Sequence, residues 1–313
     1  MARVLSTAFC VALLAATAAA FALTEGAKTE LSPIYGTAGI TKVFSPTCKV
    51  PQCRTNQASI VFSLRKRQRI QVWIVNKNSE RVATIVSGKT FPKGRVSLIF
   101  PGVGSDGVTI LPDGDYQPVI YLTGDHRTIT LPNVIQIDTT PPQVTSFSPK
   151  GFRHISPDND GRNDKLLIHY ALNGPAHGVL LVDGRQAVFT RGKKLRGTMT
   201  WAGTIDGVLQ PPGKYVLSIA AQDAAGNRSK PIPFVVVQIH YVSLGSTSYS
   251  VAPLHRFAVF VLTDAKDISW LFDRGRGTQR SHTLRLRAPR KPGTYQLFVT
   301  AAGHTARATV TVG

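Results

Sequence analysis

The chain has 313 residues, with 37 Lys and Arg against 17 Asp and Glu, so it carries a formal charge of +20 on a composition that is 42% hydrophobic and only 17% charged. That apolar fraction excludes a disordered polyelectrolyte, and the length fits about two or three domains of roughly 100–150 residues each. The basic balance points to acidic partners such as nucleic acid, anionic lipid or an anionic surface polymer, without specifying a fold.

At the N-terminus Arg3 precedes an apolar, small-residue stretch from Val4 to Leu23. Residues 1–23 have the pattern of a secretory signal, with A-x-A cleavage positions at Ala18/Ala20 or Ala20/Ala22. About twenty apolar residues also suffice to span a bilayer, so anchoring by residues 4–23 stays open. Either way the remainder is expected outside the cell or on its surface, with membrane contact only through that segment. Phe9, directly before Cys10, is too large for a lipoprotein signal. Residues 24–40 read as a linker. Cys48 and Cys53 are the two remaining cysteines, close enough for a local disulfide in an exported chain. Closing so short a loop contributes about 2 kcal/mol in the chain-entropy model. The alternatives, a redox pair or half a metal site, lack a C-x-x-C spacing and a second Cys/His pair.

From here on no helical period is convincing. Short alternating or apolar runs recur between Gly, Pro, Asn and Asp turns, as in an all-β chain: 59–64, 70–75, 119–122, 165–170, 215–220, 257–262 and 295–300. Self-comparison shows a repeat of about a hundred residues. Phe44-Ser45-Pro46, Phe100-Pro101-Gly102, Asp106-Gly107-Val108 and Pro112-Asp113-Gly114-Asp115-Tyr116 have as mates Ile155-Ser156-Pro157, Trp201-Ala202-Gly203, Asp206-Gly207-Val208 and Pro211-Pro212-Gly213-Lys214-Tyr215. A third unit keeps only Pro292-Gly293-Thr294-Tyr295. A turn followed by a Tyr that opens a strand is the layout of a tyrosine corner, so Tyr116, Tyr215 and Tyr295 each predict an Ig-like or fibronectin III-like β-sandwich. The expected domains are 41–138 and 145–239, joined by a Pro-rich linker at 139–144, and a third over 240–313. No linker separates the last two, which suggests closer packing.

The run Ile155-Ser156-Pro157-Asp158-Asn159-Asp160-Gly161-Arg162-Asn163-Asp164 is similar to the FSPNGDGxND opening of Ig-like domains in the flagellar hook-capping protein FlgD and in many secreted bacterial proteins. Trp201-x-Gly203, Asp206-Gly207 and Pro212-Gly213-x-Tyr215 resemble that family's ending. The resemblance covers the second domain, the first with Phe100 in place of Trp, and the third only at its end. It implies a bacterial accessory sandwich rather than a catalyst. It does not imply hook assembly, because the hook-capping protein leaves through the flagellum and not by a secretory signal.

Asp158, Asp160, Asn163 and Asp164 place hard oxygen ligands on one loop, as calcium requires. The loop lacks the EF-hand register and its closing Glu, and an Asx-rich turn bonding its own backbone is the other reading. In the first domain the corresponding loop has no carboxylate but carries Cys48 and Cys53, so both devices are expected to stiffen the same sandwich corner. Gly102-x-Gly104-x-x-Gly107 matches a dinucleotide fingerprint in spacing, yet Pro112 and a strand-like run follow it instead of a helix. No hydrolase motif occurs, and no cofactor other than calcium is expected.

Basic residues cluster at Arg65, Lys66, Arg67 and Arg69, at Arg191, Lys193, Lys194 and Arg196, and from Arg274 to Lys291, where Arg285 and Arg287 alternate with Leu284 and Leu286. The first two clusters are placed in turns and the third on a strand. They read either as anion contacts or as charges that keep sheet edges apart. Trp73, Trp201 and Trp270, one per domain, read as packed aromatics or as sugar-stacking platforms. Counted by domain, residues 24–141 hold 14 Lys/Arg against 8 Asp/Glu, 142–239 hold 12 against 6, and 240–313 hold 10 against 3. Charge shared so evenly argues against one dedicated nucleic-acid module. The expected function is a non-catalytic, exported adhesion or scaffold protein that binds an anionic envelope polysaccharide or a partner protein. Accessory domains that orient a secreted enzyme, and an enzyme with an unrecognised site in the third domain, are the alternatives.

Overall fold

The computed structural model describes residues 12–20, 31–36, 39–51 and 53–313. Residues 12–20 are helical, and no described helix is long and apolar enough to cross a membrane. Arg3, Val4, Phe9, Cys10, Ala22 and Leu23, on which the signal assignment also rests, lie outside the described residues. Two compact units follow from the tertiary contacts: Met1–Pro46 with Thr55–Asp138, and Thr47–Arg54 with Thr139–Gly313.

The first unit is a β-sandwich. Ile34–Tyr35, Ala58–Leu64 and Gly94–Phe100 form one sheet. Val43–Phe44, Ile135–Ile137, Gly114–Leu122, Gln68–Val75 and Arg81–Phe91 form the other in that spatial order, with Arg127–Thr130 added beside Gly114–Leu122. Period-two alternation drives the layering: Ala58, Ile60, Phe62 and Leu64 point inward from one strand, and Ile70, Val72 and Ile74 from the facing sheet. The segment read as a linker supplies part of this sandwich, since Ile34 pairs with Leu64 and both Ile34 and Ile40 are buried. Two residues of strand are too few to leave a period in the sequence.

The second unit holds two more sandwiches with separate cores. In the first of them the 17-residue strand Leu166–Val182 serves both layers. Its first part pairs with Val144–Ser148 and Lys194–Trp201, and its last part with Arg185–Phe189 and Gly213–Gln222; the register breaks between Ala171 and Ala176, around Asn173-Gly174-Pro175. Ile232–Ile239 and Gly151–Ile155 complete the layer. In the last sandwich Ser243–Leu244, Arg256–Leu262 and Thr283–Arg287 face Ser248–Val251, His304–Val312, Gly293–Ala301, Ile268–Phe272 and Gly275–Gln279.

Each sandwich pairs an early strand in parallel with its final one: Val43 with Gln136, Gly151 with Val235, and Ser248 with Thr309. Each also has a tyrosine whose hydroxyl donates to the carbonyl four residues back, Tyr116 to Pro112 and Tyr215 to Pro211 at 2.7 Å, and Tyr295 to Lys291 at 2.8 Å. The chain is therefore an all-β tandem of Ig-like sandwiches.

The repeat motif has a packing cause. Gly102 and Gly203 both have positive φ, +80° and +72°. A Cβ on Gly203 would stand 2.9 Å from Pro157 Cγ, and one on Gly102 would overlap Pro46 Cγ. The Ser-Pro opening and the aromatic-x-Gly ending recur together because the proline ring sits on the glycine. Edge-to-face contact then joins the motif aromatic to the corner tyrosine, Phe100 to Tyr116 at 6.4 Å and Trp201 to Tyr215 at 5.9 Å.

Candidate functional site

The Asp158–Asp164 loop is built from its own side chains. Asp158, Asp160 and Asp164 bring carboxylate oxygens within 4.8 Å of one another. Asp164 accepts the Asn159 and Gly161 amides at 2.7 and 2.8 Å, Asp158 accepts the Asp160 amide and the Ser156 hydroxyl, and Asp160 accepts the Arg162 amide. Asp158 and Asp160 form Asx turns, each holding the amide two residues on, while Asp164 closes the loop by holding amides three and five residues before it. Burial raises the Asp158 pKa, opposed by its two hydrogen bonds and assisted by Asp160 and Asp264. Asn163 turns outward, its amide donating to Asp264 Oδ2 at 3.1 Å, while the Arg162 guanidinium reaches the Asp264 carbonyl at 3.4 Å. The loop thereby ties the second sandwich to the third. In the same joint the Tyr241 and His304 rings stack at 3.6 Å and the Thr263 hydroxyl donates to the Tyr241 carbonyl.

Beside this tie lies a cleft of about 550 Å³ whose wall includes His154, Asn163, Gln238, His240, Ser243 and Asp264, with Leu262 at its lip. His240 contacts the Ser243 hydroxyl at 3.0 Å. Its pKa is lowered by burial and further by His154, against the pull of Asp264. Asp264 Oδ1 is buried without a hydrogen-bond partner among the described residues.

The Cys48–Cys53 disulfide is present. Its loop, Thr47–Arg54, groups with the second unit and not with the sandwich that its sequence position suggests. Cys48 Sγ lies 3.5 Å from the Gly226 carbonyl oxygen. Gly102-x-Gly104-x-x-Gly107 is a turn: Asp106 accepts the Val108 and Thr109 amides, and Val103 bridges Ile110.

The basic clusters divide by what holds them. Arg65 bonds the Ser32 carbonyl and lies over the Tyr35 ring, Lys66 pairs with Asp125 at 2.7 Å, and Arg69 bonds the Gly88 carbonyl. Arg67 is exposed in the turn, whereas Arg69 is already on a strand. Lys193 precedes the strand Lys194–Trp201; Lys194 and Arg196 belong to that strand rather than to a turn, because Ala171 and Ala176 pair with them. Arg285 and Arg287 are exposed on Thr283–Arg287 while Leu284 and Leu286 enter the core. Sequence reading missed Arg256, Phe260 and Leu262, which share the Arg285 face; strand pairing puts Arg256 opposite Arg287, Ala258 opposite Arg285 and Phe260 opposite Thr283. Of the tryptophans, Trp201 is 1% exposed and donates to the Thr204 carbonyl. Trp73 lies under the Arg81 guanidinium, and Trp270 packs on the backbone at Gly275 and Gly277.

The sequence matches no protein-family model and no curated protein. Among solved structures, the fibronectin(III)-like modules of Clostridium thermocellum CbhA share 15% identity over 66% of this chain and 93% of theirs, with a TM-score of 0.35. The I9–I11 tandem of titin shares 9% over 89% and 98%, with a TM-score of 0.29. Bacteroides ovatus SGBP-B, solved with a mixed-linkage heptasaccharide, shares 14% over 91% and 69%, with a TM-score of 0.24. These likenesses concern the sandwich fold and not what the chain binds.

Proposed function

We propose that the chain is an exported, non-catalytic, multi-sandwich module that holds to an anionic polymer of the cell envelope. The observation that carries this reading is uncompensated positive charge. The 37 Lys and Arg outnumber the 17 Asp and Glu by twenty, and Lys66–Asp125, Arg185–Asp206 and Arg280–Asp267 are ion pairs among the described residues. A surface so short of counter-charges attracts a polyanion and releases its counterions on contact. The disulfide suits an oxidising exterior, and the two ties just described, Arg162 and Asn163 on Asp264 and Tyr241 on His304, give the second and third sandwiches a firm relative placement for presenting their faces.

Retention of the full chain on an immobilised acidic polysaccharide, measured from 50 to 500 mM salt, tests the reading. Binding should weaken steadily as the Debye length shortens from about 14 Å to about 4 Å. Retention that does not change with salt would sink the electrostatic mechanism.

A further inference from the structure

The outer face of the three-stranded sheet in the third sandwich is organised beyond what a basic coat requires. Across the strands Arg256–Leu262 and Thr283–Arg287 it carries successive rows: Arg256 with Arg287, Ala258 with Arg285, and Phe260 with Thr283. A fourth row, Leu262 with Ser243, reaches the lip of the cleft. Rows two residues apart along a strand are spaced by about 7 Å, so the four span roughly 20 Å. No carboxylate stands on either strand.

Edge protection explains only part of this. Thr283–Arg287 is an edge strand, so Arg285 and Arg287 serve to repel other sheets. Ser243–Leu244 pairs only with Leu262 and Val261, so Arg256 is open on its other side as well; Phe260, however, carries no charge and stands between Thr283 and the Gly245 amide, where there is no edge to protect. Arg256 directly opposes Arg287, a like-charge pairing that costs sheet stability. Phe260 is 62% exposed and Leu262 57% exposed. Both features weaken the fold locally and suit a ligand.

We infer that this face, continued into the cleft, is the binding path for an acidic polysaccharide chain. The inference rests on the function proposed above and assigns it a site. Arginine presents its donors as a planar fork matched to an oxyanion, so Arg256 and Arg285 take the acidic groups, joined by the terminal nitrogens of Arg287, whose Nε donates to the Leu254 carbonyl at 2.9 Å. Ala258 leaves the Arg285 stem uncrowded. Phe260 offers its ring to the apolar face of a sugar, and Leu262 leads to Asn163, Gln238 and Ser243 on the cleft wall. The Asn163 and Gln238 amide nitrogens donate to Asp264 and to the Ile239 carbonyl, so their side-chain oxygens are what they offer to sugar hydroxyls.

The test measures binding of the full chain to polygalacturonate, dextran sulfate, neutral dextran, vesicles of anionic phospholipid and single-stranded DNA at 150 mM salt. The variants are Arg256→Glu/Arg285→Glu, Phe260→Ala and the charge-matched control Lys77→Glu/Lys93→Glu in the first sandwich. Melting of each variant verifies that it folds. For the acidic polysaccharides we expect a loss of at least tenfold for the arginine pair, about fivefold for Phe260→Ala, and less than threefold for the control. Equal losses in the control and the arginine pair, or no loss for Phe260→Ala, overturn the inference while leaving the general reading intact. Tighter binding of vesicles or DNA through the same residues also overturns it. Wild-type protein that binds no acidic polysaccharide at any salt overturns both.

Discussion

Gly102 is the most constrained position in the motif shared by the first two sandwiches, and Gly102→Ala tests why the motif exists. The residue has φ +80°, and a Cβ there would overlap Pro46 Cγ and come within 3.0 Å of two Phe44 ring atoms. An L-residue in left-handed conformation costs about 1–2 kcal/mol. Forcing a methyl against a pyrrolidine and a buried ring costs roughly 1–3 kcal/mol more. The reduced freedom of the unfolded chain returns about 0.4–1 kcal/mol, leaving a net loss of about 2–4 kcal/mol. Gly107→Ala is the internal control, because φ there is +74° but nothing stands within 4 Å of its Cβ; its net cost should stay near 1 kcal/mol or below. Adding Pro46→Ala to Gly102→Ala should recover about 1 kcal/mol or more as coupling between touching residues. A multidomain chain does not unfold in one step, so native-state hydrogen exchange of peptides from Ala58–Leu64 and Gln68–Val75 is the suitable readout. Net losses of this size accelerate exchange through global opening by roughly 30- to 700-fold. Equal acceleration by the two glycine variants, or no recovery on removing Pro46, would refute the packing argument.

Asp164→Ala removes the acceptor of two loop amides and should open the 156–165 segment by about 1–3 kcal/mol, seen as faster exchange there with unchanged protection in Ile232–Ile239; no local change would show that the carboxylate does not hold the loop. His240 has a folded-state pKa below its ordinary value, chiefly through burial, with His154 adding and Asp264 opposing. Its contribution is therefore complete above the ordinary imidazole pKa and is lost as pH falls through the folded value, so protection in 240–244, taken relative to the intrinsic exchange rate at each pH, should fall on acidification, and a His240→Gln protein with an identical pH profile would assign that effect elsewhere. Arg256→Thr relieves the like-charge pair with Arg287 and should stabilise the third sandwich by a few tenths to about 1 kcal/mol, read as slower exchange in Thr283–Arg287; destabilisation would mean that Arg256 supports the fold.

The all-β class was legible because alternation is local: Ile60 and Phe62, or Leu284 and Leu286, face inward by period alone. The disulfide was legible for the same reason, its cysteines standing five positions apart. What stayed hidden depends on partners distant in sequence. Ile34–Tyr35 becomes a strand only because Leu64 and Ser63 are opposite it. Leu166–Val182 continues through Pro175 because it changes sheets there, where no ladder amide is needed. Arg256 and Phe260 gain meaning only from their registration against Arg287 and Thr283. The acidic loop showed its chemistry in sequence but not its contact, since Asp264 lies 101 residues from Asn163.

The third sandwich clarifies how these levels relate. Its sequence lacks the Ser-Pro and aromatic-x-Gly pairing, yet Tyr295 still meets an aromatic edge, that of Phe272 at 6.3 Å and 66°, close to the 63° and 65° of the other two. Phe272 reaches it from a strand of the same sheet, paired through Leu297, whereas Phe100 and Trp201 end strands that pair with Ala58 and Leu166. The corner thus imposes a packing requirement, an aromatic ring beside the tyrosine, and not a fixed sequence position. Once that requirement is met by another strand, the three-stranded sheet need no longer supply the ring, and its outward residues can vary without disturbing the corner. That is the sheet on which Arg256, Phe260, Arg285 and Arg287 stand. Residues that keep a sandwich closed recur from repeat to repeat, and the proposed binding path lies where the repeat is free to diverge.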